Sequence, residues 1–274
     1  MLGKLIKHDF IGSAHSMSIV YLIAGIIAAV TALSYAFDLT ILKTLSTLAL
    51  VIVVIGLVLI TVFFMMSYYN KSLYTDRGYL TFTLPVKANN ILFSKILVSF
   101  VWILLSYMIL IGSIFLLLWY AKAKLGEELG YEIDQLIDSF SMLMSGSGLP
   151  KTVVIIKIAV YAVIFGFITI MIIVAESFFA ITLSNVKGFN KLGFFGGILI
   201  FAVIYVAMKL ASSAITVYAP VSLYLNETGV GLCFKSMDSV AGTVGIGGVI
   251  FEAVMAVVMI IGTRYLMTNK INLR

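Results

Sequence analysis

Glu176, Lys209 and Glu252 are charges set well inside stretches that are predominantly apolar. An ionisable side chain in hydrocarbon is costly, so it faces protein or water and marks a buried pair, an ion path or a proton relay. Lys209 lies about 16 residues and Glu252 about 14 residues from the same edge of consecutive stretches, which puts both just over 20 Å from that edge. Matched depth predicts that the two side chains pair. Such a pair either locks two helices together or lines a polar exit path. Glu176 lies near the inner end of its own stretch and is expected to reach inner water.

Other chemistry is thinly represented. The only histidines, His8 and His15, sit in the first 15 residues, and Glu127 and Glu128 lie in a distant segment. No serine occupies a G-x-S-x-G elbow, no His/Cys/Asp/Glu spacing suits a metal, and no G-x-x-x-x-G-K-[ST] phosphate loop is present. An enzyme is not expected, and neither is a cofactor held by this chain. The single cysteine, Cys233, excludes an intrachain disulfide.

These residues are carried by apolar helices. The chain has 274 residues, 62% hydrophobic and 11% charged, against about 25% charged in a soluble domain. Residues 16–37, 45–68, 96–120, 152–183, 193–215 and 246–267 are each long enough to cross a bilayer, which takes about 20 apolar residues. The expected fold is an all-α polytopic membrane protein with six transmembrane helices in a single domain, residues 1–274. Lys4, Lys7, Lys71, Arg77, Lys87, Lys95, Lys187, Lys191, Arg264, Lys270 and Arg274 fall on one side with Asp9 and Asp76, against Lys43, Lys122, Lys124, Lys151, Lys157 and Lys235 on the other. Asp38, Glu127, Glu128, Glu132, Asp134 and Asp138 fall on the other. The positive-inside rule then places both termini in the cytoplasm. The net charge of +6 serves this orientation and does not point to nucleic acid.

Leu2, Leu5, Ile6 and Phe10 share one arc at helical spacing, with Lys4, Lys7, His8 and His15 opposite; Asp9 and Ile11 break the pattern. Residues 1–15 are therefore expected to form an amphipathic helix in the inner interface, its lysines near anionic lipid headgroups. The segment 69–95 mixes charge, aromatic residues, Gly78 and Pro85. Pro85 is expected to break structure or to start the helix feeding the third span. On the outer side, residues 121–151 are acidic. Residues 216–245 are expected to dip back into the membrane as short helices, with Gly242, Gly245, Gly247 and Gly248 giving a flexible start to the last span.

The run DRGYLTFTLPVKANNILFSK, Asp76 to Lys95, resembles the loop after the second span of bacterial type-2 ABC exporter permeases. Many Gram-positive members carry Gly-Tyr-Leu, then Thr-Leu-Pro-Val, then a lysine entering the third span. Gly78, Tyr79, Leu80, Thr83, Leu84, Pro85, Val86 and Lys95 stand at those places here. The six spans and the basic N-terminal helix are similar to the same family.

The resemblance implies a permease of the bacterial cell membrane that carries no ATPase. Two separate ABC ATPase subunits, holding ATP and Mg, would dock beneath a dimer of permeases, either identical or a sister pair. Asp76, Arg77, Gly78, Tyr79, Leu80 and Phe82 would form the coupling element, and Lys4, Lys7 and Phe10 would belong to a connecting helix. Some members export amphipathic peptides, such as phenol-soluble modulins and lantibiotics, or give immunity to them, and others move lipids, glycans or drugs; the compact chain favours peptides as the expected substrate. Two other classes stay open: an ion-coupled secondary transporter using Glu176, Lys209 and Glu252, and a membrane immunity or sensor protein that binds a peptide without pumping it.

Overall fold

The computed structural model describes residues 2–37, 40–75, 78, 88–124, 151–186, 193–218, 221–226, 229–233 and 243–269. Most lie in long helices: α1 (Leu2–Ala36), α2 (Thr40–Leu73), α3 (Ala88–Lys124), α4 (Lys151–Ser184), α5 (Gly193–Tyr218) and α6 (Gly247–Asn269). All six are long and apolar enough to cross a membrane. Their side chains are arranged for lipid. Ile19, Leu22, Ile26, Val30 and Leu33 stand exposed along α1, whereas Ser13, Thr31, Ser34, Thr61, Ser106 and Thr182 are buried. A water-soluble amphipathic helix does the reverse. In lipid, small and polar residues are favoured where helices meet, because their hydroxyls find partners there. The chain is a multi-pass membrane protein.

The first three helices outrun the spans expected of them. They hold 35, 34 and 37 residues. At 1.5 Å per residue they are about 50–55 Å long, against a hydrocarbon core of about 30 Å. Their ends therefore stand at or beyond headgroup depth. Residues 1–15 are not set off as a separate interfacial helix: α1 is unbroken from Leu2 to Ala36. No proline interrupts it, and one buried stripe (Asp9, Ser13, Met17) runs straight through the expected joint. Likewise, α2 continues to Leu73 and α3 starts at Ala88, so much of the expected loop 69–95 is helix.

The chain forms two compact units. The first comprises Met1–Phe115, Ser177–Ile200 and Ile260–Arg274; the second comprises Leu116–Glu176 and Phe201–Met259. In the first, hydroxyl groups fasten α1 to α2 and α3. Tyr35 meets Thr47 at 2.9 Å, Ser34 meets Ser46 at 3.0 Å, and the Thr31 hydroxyl donates to the Ser46 carbonyl at 3.2 Å. Further along, Ser106 of α3 meets both Tyr21 (2.8 Å) and Thr61 (2.7 Å). Met17, Met65, Val98 and Trp102 form an apolar core beside them, against which Ile6 packs. Ile6 thus faces protein rather than the bilayer.

In the second unit, the described residues 222–226, 229–233 and 243–245 form strands rather than the short helices expected. β1 (Ser222–Asn226) is central, with β2 (Gly229–Cys233) and β3 (Thr243–Gly245) antiparallel on either side. The start of α6 is pinned, not flexible. The Val221 carbonyl accepts from the N–H groups of Ile246 (2.8 Å) and Gly247 (3.3 Å). Gly248 packs so closely on α5 that any side chain there would collide with Ser212 and Thr216. Gly248→Val is expected to overpack this crossing and cost about 1–3 kcal/mol. Thermal melting in detergent checks it, and an unchanged melting temperature would mean the crossing has slack.

Candidate functional site

One polar site in the first unit is built around Asp9. Asp9, Ser13 and Met17 recur every four residues on α1 and so share one face; all three are buried. The Asp9 carboxylate receives Lys95 Nζ at 2.5 Å, Ser94 Oγ at 2.6 Å and Tyr68 Oη at 3.1 Å. Lys95 Nζ also lies 4.6 Å from the Tyr68 ring centroid. A buried ion pair loses much hydration energy, and good geometry with added hydrogen bonds must offset that loss. Here three donors converge on one carboxylate. Gly12, one turn from Asp9, makes room for this: a Cβ there would sit 3.0 Å from the Tyr68 hydroxyl. Farther along α1, Trp102 Nε1 donates to Ser13 Oγ at 2.9 Å, and the Phe10 ring stacks on Trp102 at 4.8 Å.

A second polar junction ties the end of α2 to the ends of α4 and α6. Thr182 Oγ1 donates to the Phe178 carbonyl at 2.7 Å. It also meets the hydroxyls of Tyr74 (2.9 Å) and Tyr69 (3.0 Å). The Tyr69 ring stacks on Phe178 at 3.9 Å, and its hydroxyl reaches Met267 Sδ at 3.6 Å. Burial pushes the Tyr74 phenol up to about 12, so it stays protonated and keeps donating. Alongside, Asn185 Nδ2 donates to Asn70 Oδ1 at 3.1 Å and to the Ile181 carbonyl at 2.8 Å.

These two junctions bracket the motif-bearing loop. Of its expected coupling residues, Gly78 is described: it is buried, its N–H donates to the Thr75 carbonyl at 2.7 Å, and it lies against the Leu73 carbonyl. Asp76, Arg77, Tyr79, Leu80 and Phe82 lie outside the described residues. Lys4 and Lys7 are exposed on α1, and Phe10 is on the Trp102 stack. Asp9, which interrupts the apolar arc in sequence, is the centre of the buried face. The four-residue step to Ser13 and Met17 is the signal that could have revealed it.

In the second unit, Lys209 Nζ meets both oxygens of Glu252, at 2.8 and 2.7 Å. Glu252 is buried, while the Lys209 side chain is 42% exposed. Glu176 does not reach water as expected. It is fully buried, neither carboxylate oxygen has a hydrogen-bond partner among the described residues, and the charges of Lys209 and Glu252 both act on it. A buried polar group without a partner is rare and calls for a reason.

Among the described residues, no three His, Cys, Asp or Glu side chains come together to hold a metal. Comparison of the chain with protein-family models, with curated proteins and with solved structures finds no match.

Proposed function

We propose that this chain is the transmembrane subunit of an ATP-driven exporter of the type-2 ABC class. In this reading it works in the bacterial cytoplasmic membrane with both termini inside. Two such permeases, identical or sister chains, line a path for amphipathic peptides, and ATP and Mg are held by two separate ATPase subunits. The observation that carries the reading is the bracketing of the loop 76–87. On its N-terminal side, Tyr74, Tyr69 and Asn70 are bonded to Thr182 and Asn185 of the α4 end. On its C-terminal side, Ser94 and Lys95 are bonded to Asp9 of α1. A load applied to the loop is therefore passed to several helices through buried hydrogen bonds, as a coupling element requires.

The test begins with co-purification of the tagged chain from its native host, with an ABC ATPase expected in the complex. Tyr79→Ala with Leu80→Ala should then release that ATPase or uncouple its hydrolysis from export. Truncating an interface hot spot costs about 2 kcal/mol or more, roughly a thirtyfold loss of affinity. Normal complex yield together with normal export in the double variant would overturn the assignment of the loop.

Glu176 favours one competing reading. A sealed carboxylate beside a Lys–Glu pair is also the arrangement that an ion-coupled transporter uses. Proton-driven uptake or efflux by the purified chain in vesicles, without any ATPase, would select that reading over the exporter.

A further inference from the structure

Beside the Asp9–Lys95 pair, the first unit opens into a cleft of about 620 Å³ with walls from α1, α2 and α3. Its charge balance is uneven. Asp9 and Lys95 neutralise each other. Lys71, also in the wall, is exposed and has no ion-pair partner among the described residues. The cleft therefore keeps one uncommitted ammonium. His8 and Ser16, two turns apart on α1, line the same cleft as Lys71 of α2. Neither side chain has a hydrogen-bond partner among the described residues. Between them lies Gly12, against which the Tyr68 hydroxyl packs. Three unengaged donors thus surround a space large enough for a phosphate and its substituents.

The cleft does not end in polar surface. A crevice of about 90 Å³ adjoins it, sharing Ser16, Tyr68 and Lys71 and walled deeper in by Met17, Phe64 and Met65. Lys71 lies two residues from Leu73, the end of α2, and His8 lies near the start of α1; both helices, about 50 Å long, exceed the hydrocarbon thickness of about 30 Å. The apolar crevice points along the same helices towards their membrane portions.

We propose that this cleft binds the phosphodiester headgroup of an anionic phospholipid, with the start of an acyl chain in the adjoining crevice. A phosphodiester carries a single negative charge, which matches the one uncommitted lysine. The apolar extension and the depth of the site select a lipid over free phosphate. This site is independent of whether the chain couples to an ATPase.

Full-length protein, delipidated in neutral detergent, is titrated with phosphatidylglycerol, phosphatidylcholine and inorganic phosphate, and bound lipid is read by native mass spectrometry. Phosphatidylglycerol is expected to bind in preference to phosphatidylcholine. A lysine near an anionic headgroup contributes about 1 kcal/mol, so Lys71→Gln should weaken phosphatidylglycerol binding about fivefold. It should weaken phosphatidylcholine binding by less, because the choline cation offsets the attraction of Lys71 for the same phosphodiester. Because Lys71 is exposed, the variant is expected to fold. Arg264→Gln, which removes an exposed cation from α6 outside the cleft, should leave both lipids unaffected. Equal binding of the two lipids overturns the proposal, as does an equal loss in Arg264→Gln or no loss in Lys71→Gln. Inorganic phosphate that binds with the same dependence on Lys71 and displaces the lipid overturns the lipid as the source. A Lys71→Gln effect confined to retention of a protein partner overturns it in favour of a protein contact.

Discussion

Asp9→Ala is expected to lower stability by about 3–5 kcal/mol, the range for stripping one partner from a buried ion pair. The substitution leaves Lys95, only 5% exposed, as a buried cation without its anion. It also removes the acceptor for the Ser94 and Tyr68 hydroxyls. Asp9→Asn should fall between, because an amide oxygen still accepts from those hydroxyls but no longer neutralises the lysine. Combining Asp9→Leu with Lys95→Met should recover most of the loss, since a buried pair replaced by apolar residues of similar volume is often neutral or better. Melting temperatures of the purified variants in one detergent check the order. An Asp9→Ala protein that melts with the wild type would show that Lys95 finds water or another anion.

Lys209→Met is expected to cost about 2.5–3.5 kcal/mol, the cost of an uncompensated charge at depth on insertion scales. Among the described side chains of the second unit, Lys209 is the one cation. Glu252 pairs with it directly and Glu176 lies within its field. Removing it leaves two acidic side chains in a buried setting with no positive charge. Glu252→Ala should be milder, because a lysine has a long stem and can carry its ammonium towards water. Lys209→Met with Glu252→Leu should restore stability to near the wild type. Yield and melting temperature in a common detergent measure all three. A double variant less stable than Lys209→Met alone would mean that Glu252 has a role apart from the pair.

The six membrane helices are legible in the sequence because lipid imposes a length and a polarity that few other environments do. Their limits are not. Windows of apolar residues end α2 at 68 and begin α3 at 96, whereas the helices run to Leu73 and from Ala88. The additional turns are polar because they have left the hydrocarbon, so hydropathy does not see them. Lys209 and Glu252 are legible for the opposite reason: charges deep in apolar helices stand out, and helical rise fixes their depth. The Asp9 site is not, because a charge near a helix end is unremarkable there and its partner Lys95 is 86 positions away. Only the packing of α1 on α3 brings them together. The Tyr69–Tyr74–Thr182 junction is hidden similarly, since tyrosine and threonine sit in apolar and interfacial windows alike. The strands at 222–245 escape because they are only three to five residues long, too few for alternation to register among the glycines.

The bonds that fasten α1 carry an implication for biogenesis. Asp9 finds Tyr68, Ser94 and Lys95; Ser13 finds Trp102; Tyr21 finds Ser106. Every one of these partners precedes residue 107. A growing chain is made from its N-terminus, and early segments assemble before later ones emerge. The carboxylate on α1 therefore has its lysine as soon as the third helix is synthesised, and nothing translated afterwards is needed to neutralise it.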